Sequence, residues 1–137
     1  MATMLLEIVT PEGVTFSSQI EEVVVPAADG ELGVMPQHAP LLTKIIPGEL
    51  LIRNEGKENY LAVGEGFAEV EQQRVTVLTD MAIEETDIDE DAVEKAMARA
   101  EQTLEEADKM DAEEAAMVQA SLQKSLAQLR LKRRRRM

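Results

Sequence analysis

The chain has 137 residues, no cysteine, one histidine and a formal charge of −13 from 14 basic and 27 acidic side chains. That balance argues against a domain that wraps nucleic acid, and the missing thiols exclude disulfides, thiolate catalysis and cysteine-based metal centres. A single histidine, His38, disfavours histidine-rich metal sites and a Ser-His-Asp arrangement, and aromatics at 2% leave no base-stacking platform.

The opening MATMLLEIV has no basic region before its apolar stretch, so no signal or transit segment is expected and the chain is expected to stay in a reducing compartment. No apolar run approaches the roughly 20 residues of a membrane span. Residues 1–86 then read as short strands rich in Val, Ile and Leu: Glu7–Val9, Ile20–Val25, Leu41–Ile46, Leu50–Ile52, Tyr60–Val63, Phe67–Val70 and Val75–Leu78. Turn signals separate them, among them Pro11-Glu12-Gly13, Asp29-Gly30, Pro47-Gly48, Asn54-Glu55-Gly56 and Gly64-Glu65-Gly66. Such spacing suggests a sandwich or barrel. Consecutive apolar positions, as in Val23-Val24-Val25 and Leu41-Leu42, suggest strands whose outer face is also covered.

After Thr86 neither Gly nor Pro occurs, and helix-favouring Ala, Glu, Lys, Gln, Leu and Met dominate. Asp87 or Asp89 suits the cap of a first helix, with Glu90 and Asp91 at its positive dipole end. Val93, Met97, Ala100, Leu104 and Ala107 recur at steps of four and three, which makes one narrow apolar stripe. Lys109-Met110-Asp111 breaks the pattern, and Asp111 with Glu114 has capping-box spacing. Ala115, Val118, Leu122, Ser125 or Leu126, and Leu129 make the stripe of a second helix. The short link requires an antiparallel hairpin. Its seam of Ala and Ser buries little area, so the hairpin is expected to dock conditionally and to be able to extend or separate.

Charge is segregated along the chain. Residues 1–86 sum to −11, residues 87–114 to −9 and residues 115–137 to +7. Six of the seven positions from 130 to 136 are basic, more than a helix dipole needs. An acidic partner, an anionic lipid surface or RNA would each use such an end, with the acidic remainder counting against RNA. No phosphate-cradling glycine loop is present, Gly64-Glu65-Gly66 reads as a turn, and the carboxylates read as a solvated face. His38 lies between Pro36 and Pro40, in a loop where a packed or hydrogen-bonded histidine is the expectation. The apolar groups of Asp29–Pro36 either fold inward or face a partner.

Val9-Thr10-Pro11-Glu12-Gly13, Val24-Val25-Pro26 and above all Asp29-Gly30-Glu31-Leu32-Gly33-Val34-Met35-Pro36-Gln37-His38-Ala39-Pro40-Leu41-Leu42-Thr43 resemble the epsilon subunit of the F-type ATP synthase. The resemblance continues through Gly66–Val70, Val75–Asp80 and the helices. It implies an α+β fold, a ten-stranded antiparallel β-sandwich (residues 1–86) followed by an antiparallel two-helix hairpin (residues 87–137). It also implies a non-catalytic subunit of the central stalk, at the cytoplasmic face of the cell membrane. There it would link the gamma subunit to the c-subunit ring during proton-driven ATP synthesis. The implied ring contact is Glu31, Leu32 and Gly33, and the implied gamma contact is His38, Met35 and Pro40. Extended helices would restrain ATP hydrolysis at the alpha and beta subunits, with Arg130, Lys132, Arg133, Arg134, Arg135 and Arg136 as the contact. Some members of that family bind ATP through Ile/Leu-Asp-x-x-Arg-Ala. Here the stretch is Ile88-Asp89-Glu90-Asp91-Ala92-Val93, without the arginine, so ATP binding is expected to be weak or absent. No cofactor or metal is implied. A nucleotide-sensing module and an unrelated sandwich adaptor are the competing readings.

Overall fold

A computed structural model describes residues 2–105 and 111–136, the side chains of Arg135 and Arg136 excepted. Expectations for Ala107, for the break at Lys109-Met110, for those two side chains and for Met137 lie outside the described residues.

Ten strands precede two helices: β1 (Met4–Thr10), β2 (Gly13–Ile20), β3 (Glu22–Ala27), β4 (Gly30–Val34), β5 (Leu41–Ile45), β6 (Gly48–Asn54), β7 (Lys57–Val63), β8 (Gly66–Val70), β9 (Arg74–Thr79), β10 (Ala82–Glu84), α1 (Glu90–Glu105) and α2 (Ala112–Arg136). The strands form one sheet in the order β10-β7-β6-β3-β5-β8-β9-β1-β2, with β4 paired to β3. The sheet folds into a sandwich at β3, which pairs β6 through Glu22–Val24 and reaches β5 only at Ala27 opposite Ile45. Alternation decides which side chains enter. Met4, Leu6 and Ile8 of β1 meet Val75 and Val77 of β9 and Val23 and Val25 of β3 in a core that includes no helical residue. The implied α+β sandwich and hairpin are therefore the observed fold. One pairing departs from the antiparallel expectation: β1 runs parallel to β9, because the N-terminal strand enters the sheet between β2 and β9.

Reading residue types found the hydrophobic strands and missed the polar or short ones. β2 (GVTFSSQI) exposes nearly every residue before Ile20, and β10 has three residues. β4 was indistinguishable from a loop because its glycines look like turn residues. The Asn54-Glu55-Gly56 signal is a two-residue hairpin loop, with φ of 53° at Glu55 and 76° at Gly56.

Asp89, not Asp87, caps α1: its Oδ1 accepts the Ala92 N–H at 3.2 Å. Asp111 caps α2 by accepting the Glu114 N–H at 2.8 Å. Val93 is buried in α1, and Met97, Ala100 and Leu104 of the expected stripe are half-buried, as are Glu90 and Ala96. Helix α2 buries more than its single expected stripe. Leu122, Ser125 and Leu129 are buried, and so are Ala127 and Leu131, the last at 0% exposure. Leu129 and Leu131 pack with Val93 of α1, Ile88 and Ala62 of β7, with Tyr60, Met81, Ile83 and Met97 around them. The hairpin thus has a second anchorage, on the sandwich, in its last turns.

Candidate functional site

The two outer faces of the sandwich differ. Helix α2 lies over β6 and β7. There Ala62, which stands between Glu49 and Ile83 in the sheet, is fully buried. The face made by β5, β8, β9, β1 and β2 has no cover among the described residues. The register aligns Lys44, Phe67, Leu78, Val9 and Val14 in one row across five strands. Phe67, Leu78 and Val14 are 52%, 49% and 60% exposed. The next row begins with Leu42, 67% exposed, opposite Glu69. The expectation that Leu41-Leu42 lies beneath a covering layer is not met among the described residues. A contiguous apolar row on a strand face, rimmed by charge, is the surface chemistry of a protein-binding site.

The expected contact residues divide between the two ends of β5. At one end, Pro40 precedes Leu41, and the loop before it is tied down by main-chain bonds. The Gln37 N–H donates to the Gln72 carbonyl at 2.7 Å, and the His38 N–H donates to the Met35 carbonyl at 3.2 Å. His38 Nδ1 lies 2.7 Å from its neighbour Ala39's carbonyl oxygen. Met35 and Pro40 are exposed. At the other end, Ala28 N–H donates to the Lys44 carbonyl at 2.9 Å and so holds the β3–β4 turn, with Glu31 exposed on β4 opposite Pro26. Within Asp29–Pro36 both alternatives occur: Val34 is buried in the core, Leu32 packs against it, and Met35 faces outward. Glu31 and His38 do not form one site. Glu31 instead shares a cleft of about 270 Å³ with Pro26, Gly48, Gln123, Ala127 and Arg130 of α2.

The basic end of α2 is engaged with this chain's own carboxylates. Arg133 Nε donates to Glu90 at 3.0 Å and its Nη2 to Glu94 at 2.5 Å. Arg134 donates through Nε and Nη2 to both carboxylate oxygens of Glu49 and lies 5.1 Å over the Tyr60 ring. Lys132 Nζ donates to the Glu85 carbonyl at 3.2 Å, and Lys124 pairs with Asp80 at 3.6 Å. Arg130 makes no ion pair among the described residues. The bonds to Glu49 raise the Arg134 pKa, and those to Glu90 and Glu94 raise the Arg133 pKa. A raised cation pKa gives stability that is complete below the unfolded value and lost only as pH rises through the folded one. For a guanidinium that window is strongly alkaline, so pH near neutrality leaves this contribution intact.

Ile88 is buried beneath the hairpin, and the Asp89 carboxylate is occupied as a helix cap. The degenerate ATP motif therefore has structural employment. Residue reading missed Ala127 and Leu131, although Lys124, Ala127, Leu131 and Arg134 recur at steps of three, four and three.

The family model for the ATP synthase Delta/Epsilon chain, beta-sandwich domain, matches residues 3–85. The chain belongs to this family. ATP synthase epsilon chains are similar to it over most of its length. That of Alkalilimnicola ehrlichii is 41% identical over 98% of both chains. That of Desulforamulus reducens is 48% identical over 74% of this chain and 77% of its own. A chain in the cryo-EM structure of the Euglena gracilis mitochondrial ATP synthase, OSCP/F1/c-ring in rotational state 1, shares the fold. Its TM-score is 0.71 at 21% identity, over 90% of this chain and 77% of that one. As a member of the epsilon family, the chain is a subunit of an ATP synthase. No described helix is long and apolar enough to cross a membrane.

Proposed function

We propose that the chain is a non-catalytic central-stalk subunit with three contacts. The uncovered β5-β8-β9-β1-β2 face, continued by Met35, His38 and Pro40, docks the gamma subunit. The β3–β4 turn, with Glu31, Leu32 and Gly33, rests on the c-subunit ring. The helices of residues 87–137 leave the sandwich of residues 1–86 to restrain ATP hydrolysis at the alpha and beta subunits. They do so through Arg130, Lys132, Arg133, Arg134, Arg135 and Arg136. In this position the subunit is peripheral to the cytoplasmic face of the cell membrane and turns with the ring that ion flow drives. ATP binding to the hairpin is weak or absent, because Ala92 stands where an arginine would meet phosphate.

The observation that carries this reading is the asymmetry of the sandwich. One outer face is partly covered by the chain's own helix, which buries Ala62, and the other presents Phe67, Leu78 and Val14 to solvent. That row suits a protein partner with an apolar surface. Co-purification with gamma tests it. Phe67→Glu with Leu78→Glu places charge on the row without touching the core, so the chain should fold while gamma binding weakens at least about tenfold. Undiminished binding by a folded double variant would refute the assignment of this face.

A further inference from the structure

On the reading that the uncovered face docks gamma, we infer that Lys44 and Glu69 fix the register in which gamma lies there. Gamma sets a carboxylate against Lys44 and a long cationic side chain against Glu69.

The five strands of this face carry four charged residues, Glu7, Lys44, Glu69 and Arg74. Two of them neutralise each other, because the Arg74 guanidinium pairs with Glu7. Lys44 and Glu69 are exposed, and neither makes an ion pair among the described residues. The register keeps them from standing side by side. Lys44 is opposite Phe67 and Glu69 is opposite Leu42, so the two charges lie on a diagonal of the β5–β8 ladder. Such a diagonal spans about 7–8 Å, and no pair bridges it here. Ala68 and Val70 are buried, so alternation turns Phe67, Glu69 and Glu71 to the same outer side.

An apolar row by itself gives a partner no direction, because hydrophobic contact is non-directional. The two free charges supply one. Lys44 ends the row, and Glu69 stands beside it next to Leu42. A partner that covers Phe67 and Leu42 takes both charges out of water, and an unmatched charge there opposes binding. The signs differ, so only one orientation of the partner matches both. Beside Glu69 the surface holds a shallow cavity of about 460 Å³, lined by Pro40, Leu41, Leu42, Val70 and the carboxylates Glu69 and Glu71. Apolar walls beside carboxylates suit a lysine or arginine laid lengthwise, with its stem on Pro40 and Leu42 and its head at Glu69.

The test measures the affinity of the full-length chain for isolated gamma at low salt and at about 0.5 M salt. Each variant's unfolding midpoint is first shown to match the parent's. Lys44→Glu and Glu69→Lys should each weaken binding roughly tenfold, and less at high salt. Lys57→Glu changes the net charge as Lys44→Glu does, but on β7, and should stay within about twofold of the parent. The decisive variant combines Lys44→Glu with Glu69→Lys. It keeps the net charge of −13 and reverses the polarity, so it should bind at least as weakly as either single variant. Parental affinity in that combination would mean that net charge, not position, governs binding, and would overturn the inference. So would undiminished binding by either single variant while Phe67→Glu with Leu78→Glu loses gamma, and in that case the docking face itself stands. If the Phe67 and Leu78 double variant also binds gamma as the parent does, the face and the register fail together.

Discussion

At Gly66 a Cβ would lie 1.7 Å from the Leu78 carbonyl oxygen, a contact no side chain can make. The obstacle is main chain on the paired strand β9, so relief requires β8 and β9 to separate. Gly66→Ala should therefore cost about 2–3 kcal/mol in urea unfolding of the intact chain. Gly33 is the contrasting case. A Cβ there meets only Glu22 Oε2, at 3.5 Å, and its φ is not in the left-handed region. Gly33→Ala should leave the unfolding midpoint within about 0.5 kcal/mol of the parent, so any loss of ring binding by that variant would report contact and not instability. The sequence marks both as turn-like glycines. What distinguishes them is the register of β8 on β9 and of β4 on β3, a non-local fact that composition does not carry.

The helices show the same boundary between local and non-local information. Caps at Asp89 and Asp111 and the stripe from Val93 to Leu104 were readable because capping and periodicity act within a few residues. The second stripe of α2 was hidden because Lys124 and Arg134 are charged. A pattern that counts only apolar residues passes over a contact surface that ends in ion pairs and snorkelling cations. Leu131 is the test of that surface. It is fully buried among residues of α1, β7 and Ile88, so Leu131→Ala should remove about 2–4 kcal/mol from docking. Hydrogen exchange should show lost protection from Ala127 to Leu131, with Val75 and Val77 in the sheet unchanged. Equal loss in both regions would mean that sandwich and hairpin unfold as one unit.

Across the whole molecule, burial separates into two clusters that differ in dependence. The larger draws only on strands, from Met4 to Val77, and its members need nothing from residues 87–137. The smaller exists only where α1, α2 and β7 meet. A chain ended after Thr86 should therefore keep a cooperative sandwich, whereas the isolated hairpin, whose buried leucines face Ala62 and Ile88, should not persist. Electrostatics agree. The removed segment carries −9 and +7, so its net charge is only −2, and the truncated chain changes from −13 to −11. The favourable pairs of Lys124, Lys132 and Arg134 with the body of the chain are exposed and contribute about 1 kcal/mol or less each. The expected result is a strand-rich, two-state unfolding curve for residues 1–86, with gamma binding retained because the Phe67–Val14 row lies on the face that the helices never cover. In the assembled enzyme the same truncation should raise ATP hydrolysis while coupling to the ring persists. If gamma binding disappeared with the helices although the sandwich remained folded, the partner-facing surface would have to be sought on the β6–β7 side.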